Sequence, residues 1–126
     1  MLWAAATPVL ALAAAVALPP TAQAGEPRLP LPPGRYTFEH RFAEQPSLLH
    51  AKVLVIIRKR TIQVINTQAH PPFPKGVIAQ GPLVWNQPTG QWIIGEGAGD
   101  RTTAEVGGCS DGPEVVDLVK RIYWTC

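Results

Sequence analysis

At 126 residues and a net charge of +2, from 11 basic against 9 acidic side chains, the chain carries too little positive charge, spread too thinly, for a nucleic-acid partner. Its length suits one domain that buries about two thirds of its unfolded surface. Only 2 cysteines are available, so any covalent staple is a single bridge.

Residues 1–24, MLWAAATPVLALAAAVALPPTAQA, contain no charged side chain, and residues 4–18 are almost continuously apolar. Pro19 and Pro20 end the run, and Ala22-Gln23-Ala24 supplies the small-x-small pattern of a signal-peptidase site. The run falls short of the about 20 apolar residues that span a bilayer. The reading is a cleaved signal peptide and a mature chain that starts at Gly25, periplasmic or secreted, with no stable membrane insertion after cleavage. The leader has no Lys or Arg, so a retained anchor is the alternative; no cysteine follows the apolar run to carry a lipid.

Residues 25–33, GEPRLPLPP, form a proline-rich arm without periodicity, read as extended and mobile. A single β-rich domain is expected over residues 34–126. In GRYTFEHRF, residues 34–42, Tyr36, Phe38, His40 and Phe42 alternate with Arg35, Thr37, Glu39 and Arg41, the period-two pattern of a half-buried strand. AKVLVIIRKRTIQVINT, residues 51–67, reads as a hairpin turning at Arg58–Thr61. Ile57 then faces Ile62, Val55 faces Val64 and Val53 faces Asn66. Lacking Gly or Asn, this turn is not expected to use a tight two-residue loop with positive φ.

AHPPFPKG, residues 69–76, is a stiff loop, since its prolines exclude a central strand. VIAQGPLVW resumes strand character, with Gly81-Pro82 marking a bulge or an edge. VWNQPTGQWII makes a second hairpin around Gln87–Gly90, a register that sets Trp85 opposite Trp92. GEGAGDR is a turn and RTTAEV a short strand. From Asp111 to Cys126 the signals conflict: Val115, Leu118, Val119, Ile122 and Tyr123 fit helical spacing, whereas Val, Ile, Tyr, Trp and Thr favour strand.

Cysteines in an exported chain pair, so Cys109–Cys126 is the expected disulfide, worth about 3 kcal/mol in the chain-entropy model. The bridge limits any helix to residues 113–119, because bridged Cα atoms lie within about 7 Å of each other. A strand over residues 120–125 then returns to Cys109. The predicted fold is all-β: a small antiparallel barrel or sandwich of six to seven short strands, with room for one short helix near 113–119 and one disulfide.

Catalytic and metal chemistry find little support. His40, His50 and His70 lie on different elements without ligand spacing. Ser47 and Ser110 sit in no nucleophile elbow. The carboxylate pairs Glu96 with Asp100 and Asp111 with Glu114 read as solvated turn residues, and GEGAGD lacks the lysine and helix of a phosphate loop. No metal, cofactor or enzymatic activity is therefore expected. Arg58-Lys59-Arg60 reads as a solubilising hairpin tip.

Two features could meet a partner. Trp85 and Trp92 form either core or, if outward, an aromatic platform for a sugar or apolar ligand. The loop at 69–76 presents His70, Phe73 and Lys75 on a rigid frame that loses little entropy on docking, unless Phe73 is tucked onto the sheet. The expectation is an exported binding or inhibitor-like module for a protein or glycan of the cell envelope. The alternative is a carrier holding a small apolar ligand inside a barrel.

Overall fold

The computed structural model describes residues 26–126, so the leader, its cleavage motif and Gly25 lie outside the described residues. Seven strands form one sheet: β1 (Gly34–Phe42), β2 (Ala51–Arg58), β3 (Thr61–Asn66), β4 (Gly76–Asn86), β5 (Gln91–Ile94), β6 (Val116–Asp117) and β7 (Ile122–Thr125). Their order is β5-β4-β3-β2-β1-β7-β6. The two edge strands meet through one bridge, Ile93 with Val115, which brings the sheet to near closure as a small barrel.

The β2–β3 hairpin adopts the expected register, with Val55 opposite Val64 and Ile57 opposite Ile62. Alternate residues Val53, Val55, Ile57, Ile62 and Val64 point inward and are at most 2% exposed. Burying each such side chain contributes about 1.5–3 kcal/mol. Its turn departs from expectation: the loop is the two residues Lys59 and Arg60, and Lys59 takes a left-handed φ of 54°. The eight-residue and six-residue apolar strands on either side fix the register strongly enough to hold a non-glycine residue there.

At Gly81-Pro82 the sheet turns a corner. Residues up to Pro82 pair with β3, while Leu83 to Asn86 pair with β5. A Cβ on Gly81 would stand 2.9 Å from the Gly95 carbonyl oxygen, so the close approach of the two backbones there requires glycine. Pro82, which cannot donate to a ladder, still accepts from Gly95 N–H at 2.8 Å. Within the second hairpin Trp85 faces Trp92 as expected.

One pairing is parallel: β7 runs beside β1, Glu39 to Phe42 against Ile122 to Thr125. The disulfide Cys109–Cys126, with Cα atoms 4.7 Å apart, ties the end of that strand to the loop before β6.

The short helix left open as a possibility near 113–119 does not form. Val116–Asp117 is a strand, and the Asp117 carboxylate accepts the Val119 and Lys120 N–H groups at 3.0 and 2.8 Å. That side-chain cap folds the chain into a tight turn, with Arg121 at φ 58°, straight into β7. The short strand expected at 101–106 is also absent. Buried Asn86 takes the place of a ladder partner by donating to the carbonyls of Asp100 and Thr103, both at 2.8 Å.

Residues 26–33 are laid along the barrel, contrary to the mobile arm expected. Leu29 and Leu31 pack against the core cluster. The Glu26 side chain, 4% exposed, pairs with Arg60 and, at 2.9 Å, with Arg101. The hairpin tip thus contributes one of its cations to anchoring the arm.

Candidate functional site

Where β5 and β6 part beyond their single bridge, a cleft opens. It has a volume of about 310 Å³ and runs between the arm, at Pro27, Arg28 and Pro30, and the strand ends carrying Gln91, Trp92 and Val116. Trp85 and Trp124 complete its aromatic lining. The local causes are readable. Ile94 N–H donates to the Glu114 carbonyl at 2.9 Å and pins one end of the seam. The turn capped by Asp117 then carries Val119 outward while Leu118 stays in the core, leaving Val119 76% exposed on the rim.

Trp92 is 6% exposed and belongs to the core; Trp85 is half-buried, its ring tilted at 64° with centroids 5.3 Å apart. The pair is therefore part floor and part wall: Trp92 fixes Trp85, and Trp85 offers a rigid face to the cleft. Arg60, paired to Glu26, lies over Trp92 at 5.9 Å from the ring centroid and closes the arm end.

A second constellation lies on the loop side. His40 on β1 is fully buried, and His50, just before β2, faces it with Nδ1 to Nδ1 at 2.8 Å. His40 Nε2 lies 2.8 Å from the Thr125 hydroxyl, and His50 Nε2 lies 2.8 Å from the Pro71 carbonyl. The carbonyl can only accept, so His50 donates from Nε2. Neutral His50 then accepts at Nδ1 from His40, and His40 Nε2 accepts from Thr125. Burial, and secondly the charge of His50, lower the His40 pKa to about 4.

Phe73 stacks edge-on against His40 at 4.7 Å and lies 5.8 Å from His50. His70 is bridged to Phe73 across its own loop, its ring 6.2 Å from that of His50. The expected partner-facing loop is thus folded back: Phe73 and His70 are half-buried and Lys75 is exposed. Asn66 holds the loop base by donating to the Pro74 carbonyl at 2.9 Å.

The histidines read as scattered in the sequence do converge. The signal was available: pairing β1 with β2 places His40 opposite Ala51 and brings His50 beside it. Convergence here makes a hydrogen-bonded chain and not a chelate. Among the described residues, the one cluster of metal-ligating atoms is Glu44 with Cys109 and Cys126, and both of its sulfurs are consumed in the disulfide.

Of the paired carboxylates, Asp100 and Glu114 are occupied structurally. Asp100 accepts the Glu96 and Gly97 N–H groups at 2.6 and 2.9 Å. Glu114 accepts the Tyr123 hydroxyl at 2.8 Å. Burial raises the Glu114 pKa, Glu96 adds to the rise, and the Tyr123 hydrogen bond opposes it. Burial, then the charge and hydrogen bond of Glu114, push Tyr123 up. Ser110 donates to the Gly107 carbonyl at 2.7 Å.

The interior of the barrel is filled by Phe38, Val55, Ile57, Ile62, Leu118 and Tyr123, each at most 1% exposed. Among the described residues, open surface clefts such as the tryptophan cleft, and not the filled interior, offer space to a ligand. Neither protein-family models, nor curated proteins, nor solved structures give a match to this chain.

Proposed function

We propose that the chain is an exported, non-enzymatic binding module that seats an extended, apolar polypeptide segment of a cell-envelope partner in the cleft between its arm and the β5–β6 seam. The carrying observation is the cleft itself: half-buried Trp85 and Trp124, an exposed Val119 rim, and a volume of about 310 Å³ at the line where two strand edges part. Aromatic side chains held rigid by packing lose little entropy on binding, which is why they dominate interface energetics. An extended segment also suits strand edges, whose backbone groups can add to a neighbouring chain. Arg28 on the rim is exposed and available to a carboxylate of the partner. The disulfide agrees with an oxidising compartment, and the leader read in the sequence supports a periplasmic or secreted location.

A small apolar ligand is the second reading, favoured by a volume at the lower end of the about 300–1,000 Å³ typical of ligand pockets. It places the carrier's ligand in the cleft and not inside the barrel. Affinity capture from native envelope extract with the residue 25–126 protein distinguishes these readings. A protein retained by the wild type and lost with Trp85→Ala, but kept by Phe73→Ala, supports the peptide seat. Retention of an apolar small molecule in its place supports the carrier. Loss with Phe73→Ala and not with Trp85→Ala contradicts both and returns binding to the loop.

A further inference from the structure

Two imidazoles joined nitrogen to nitrogen keep their hydrogen bond only while one of the facing nitrogens is unprotonated. The neutral chain runs from the Thr125 hydroxyl to His40, from His40 to His50, and from His50 to the Pro71 carbonyl. One added proton fits. The Thr125 hydroxyl turns to accept from His40 Nε2, and the proton between the rings resides on either Nδ1. A second proton places N–H against N–H across the 2.8 Å contact, which must then open. The facing nitrogens therefore cannot both carry a proton while the contact holds.

Phe42 and Phe73 cover the pair at 4.7–5.8 Å, and from β7 Tyr123 presents its ring at 5.6 Å from His40. The Tyr123 hydroxyl is engaged by Glu114, whose own pKa is raised by burial. Glu39 and Arg41, paired with each other at 2.8 Å, alternate with His40 along β1, and Lys52 of β2 alternates with inward Ala51 and Val53. On the loop side the titratable neighbours are His70, with its ring 6.2 Å from that of His50, and exposed Lys75. Among the described residues no carboxylate forms an ion pair with either imidazole.

We propose that residues 69–73 are an acid-released latch: the loop tip stays on the barrel while the His40–His50 pair holds at most one proton and swings off when it takes the second, uncovering Phe73. The hinge is the loop base, where Asn66 keeps hold of the Pro74 carbonyl and carries no titratable group. Burial and the neighbouring charge, which hold His40 at about 4, place the release in distinctly acid solution. The inference does not depend on the tryptophan cleft.

The test is NMR of the residue 25–126 protein with ¹⁵N-labelled imidazoles, titrated from about pH 8 to about pH 3. At neutral pH His40 should be the Nδ1–H tautomer and His50 the Nε2–H tautomer. On acidification two coupled steps should appear. Phe73–His40 ring NOEs should survive the first and vanish at the second, while the Val55 and Val64 amides stay protected. His50→Gln keeps a donor for Pro71 and an acceptor for His40 without titrating there, so its loop should remain seated through the same range. Opposite tautomers, independent titrations with the NOEs intact, loss of Val55 protection together with the loop, or unchanged release in His50→Gln would each overturn the latch. If His50→Gln fails to seat the loop at neutral pH, the wild-type titration alone decides.

Discussion

The tryptophan cleft and the histidine latch sit on the same strand, since neighbouring residues of β7 serve both: Trp124 lines the cleft and Thr125 ends the hydrogen-bonded chain. They are held by different physics. The cleft is apolar contact area on a core residue, Trp92, with the Glu26 ion pairs and the Asp117 cap holding its arm and rim. The latch is three directional hydrogen bonds at 2.8 Å, each with an assigned donor, and a second added proton sets N–H against N–H between the rings. Adjacent residues can thus serve one surface built on apolar contact and another governed by directional hydrogen bonds. The first suits constitutive binding, the second a condition-dependent exposure.

The strongest way to break the cleft side is Trp92→Ala. Trp92 is 6% exposed and supports Trp85, so truncation should cost about 3–5 kcal/mol in urea denaturation, the range for a core aromatic. A loss below about 1 kcal/mol would detach the cleft floor from the core.

On the latch side acid should act through His40. The folded-state pKa of His40 lies below its ordinary value of 6.5, so the stability it contributes is complete above that value. It is lost as pH falls from 6.5 towards about 4. The loss should amount to at most about 3 kcal/mol, and less if the latch opens before the barrel unfolds. His40→Phe, if folded, should flatten this dependence in denaturation measured as a function of pH; an unchanged slope would contradict the assignment.

The smallest effect sharpens the boundary between the two regions. Phe73 is half-buried, with its ring edge-on to His40 at 4.7 Å. Phe73→Ala should cost about 1–2 kcal/mol, less than a fully buried phenylalanine. It should shift the His40 titration upward by admitting water, without altering tryptophan fluorescence. A changed fluorescence spectrum would mean that loop and cleft communicate.

How much of this could be read in the residues varied with sequence distance. Hairpins are local, so alternation in residues 53–64 and the Pro88…Gly90 turn were enough to place Val55 on Val64 and Trp85 on Trp92. The disulfide followed from cysteine count and compartment. The parallel β1–β7 pairing joins segments some 80 residues apart, and nothing local signals it. The helical spacing of Val115, Leu118 and Ile122 was overridden by one side chain, Asp117, whose carboxylate caps a turn. In the same way Asn86 displaced an expected strand by satisfying the Asp100 and Thr103 carbonyls. The histidine chain needed the β1–β2 register, and the cleft needed both the parallel pairing and the docking of the arm.

That the cleft, and not the loop, receives the partner is tested most directly by site-specific photocrosslinking in envelope extract. A photoreactive amino acid replaces Val119, 76% exposed on the cleft rim, or Lys75, exposed on the loop. At neutral pH the account predicts a crosslinked polypeptide from position 119, mapping to one extended segment of the partner, and none from position 75. Crosslinking from position 75 with none from 119 would contradict it.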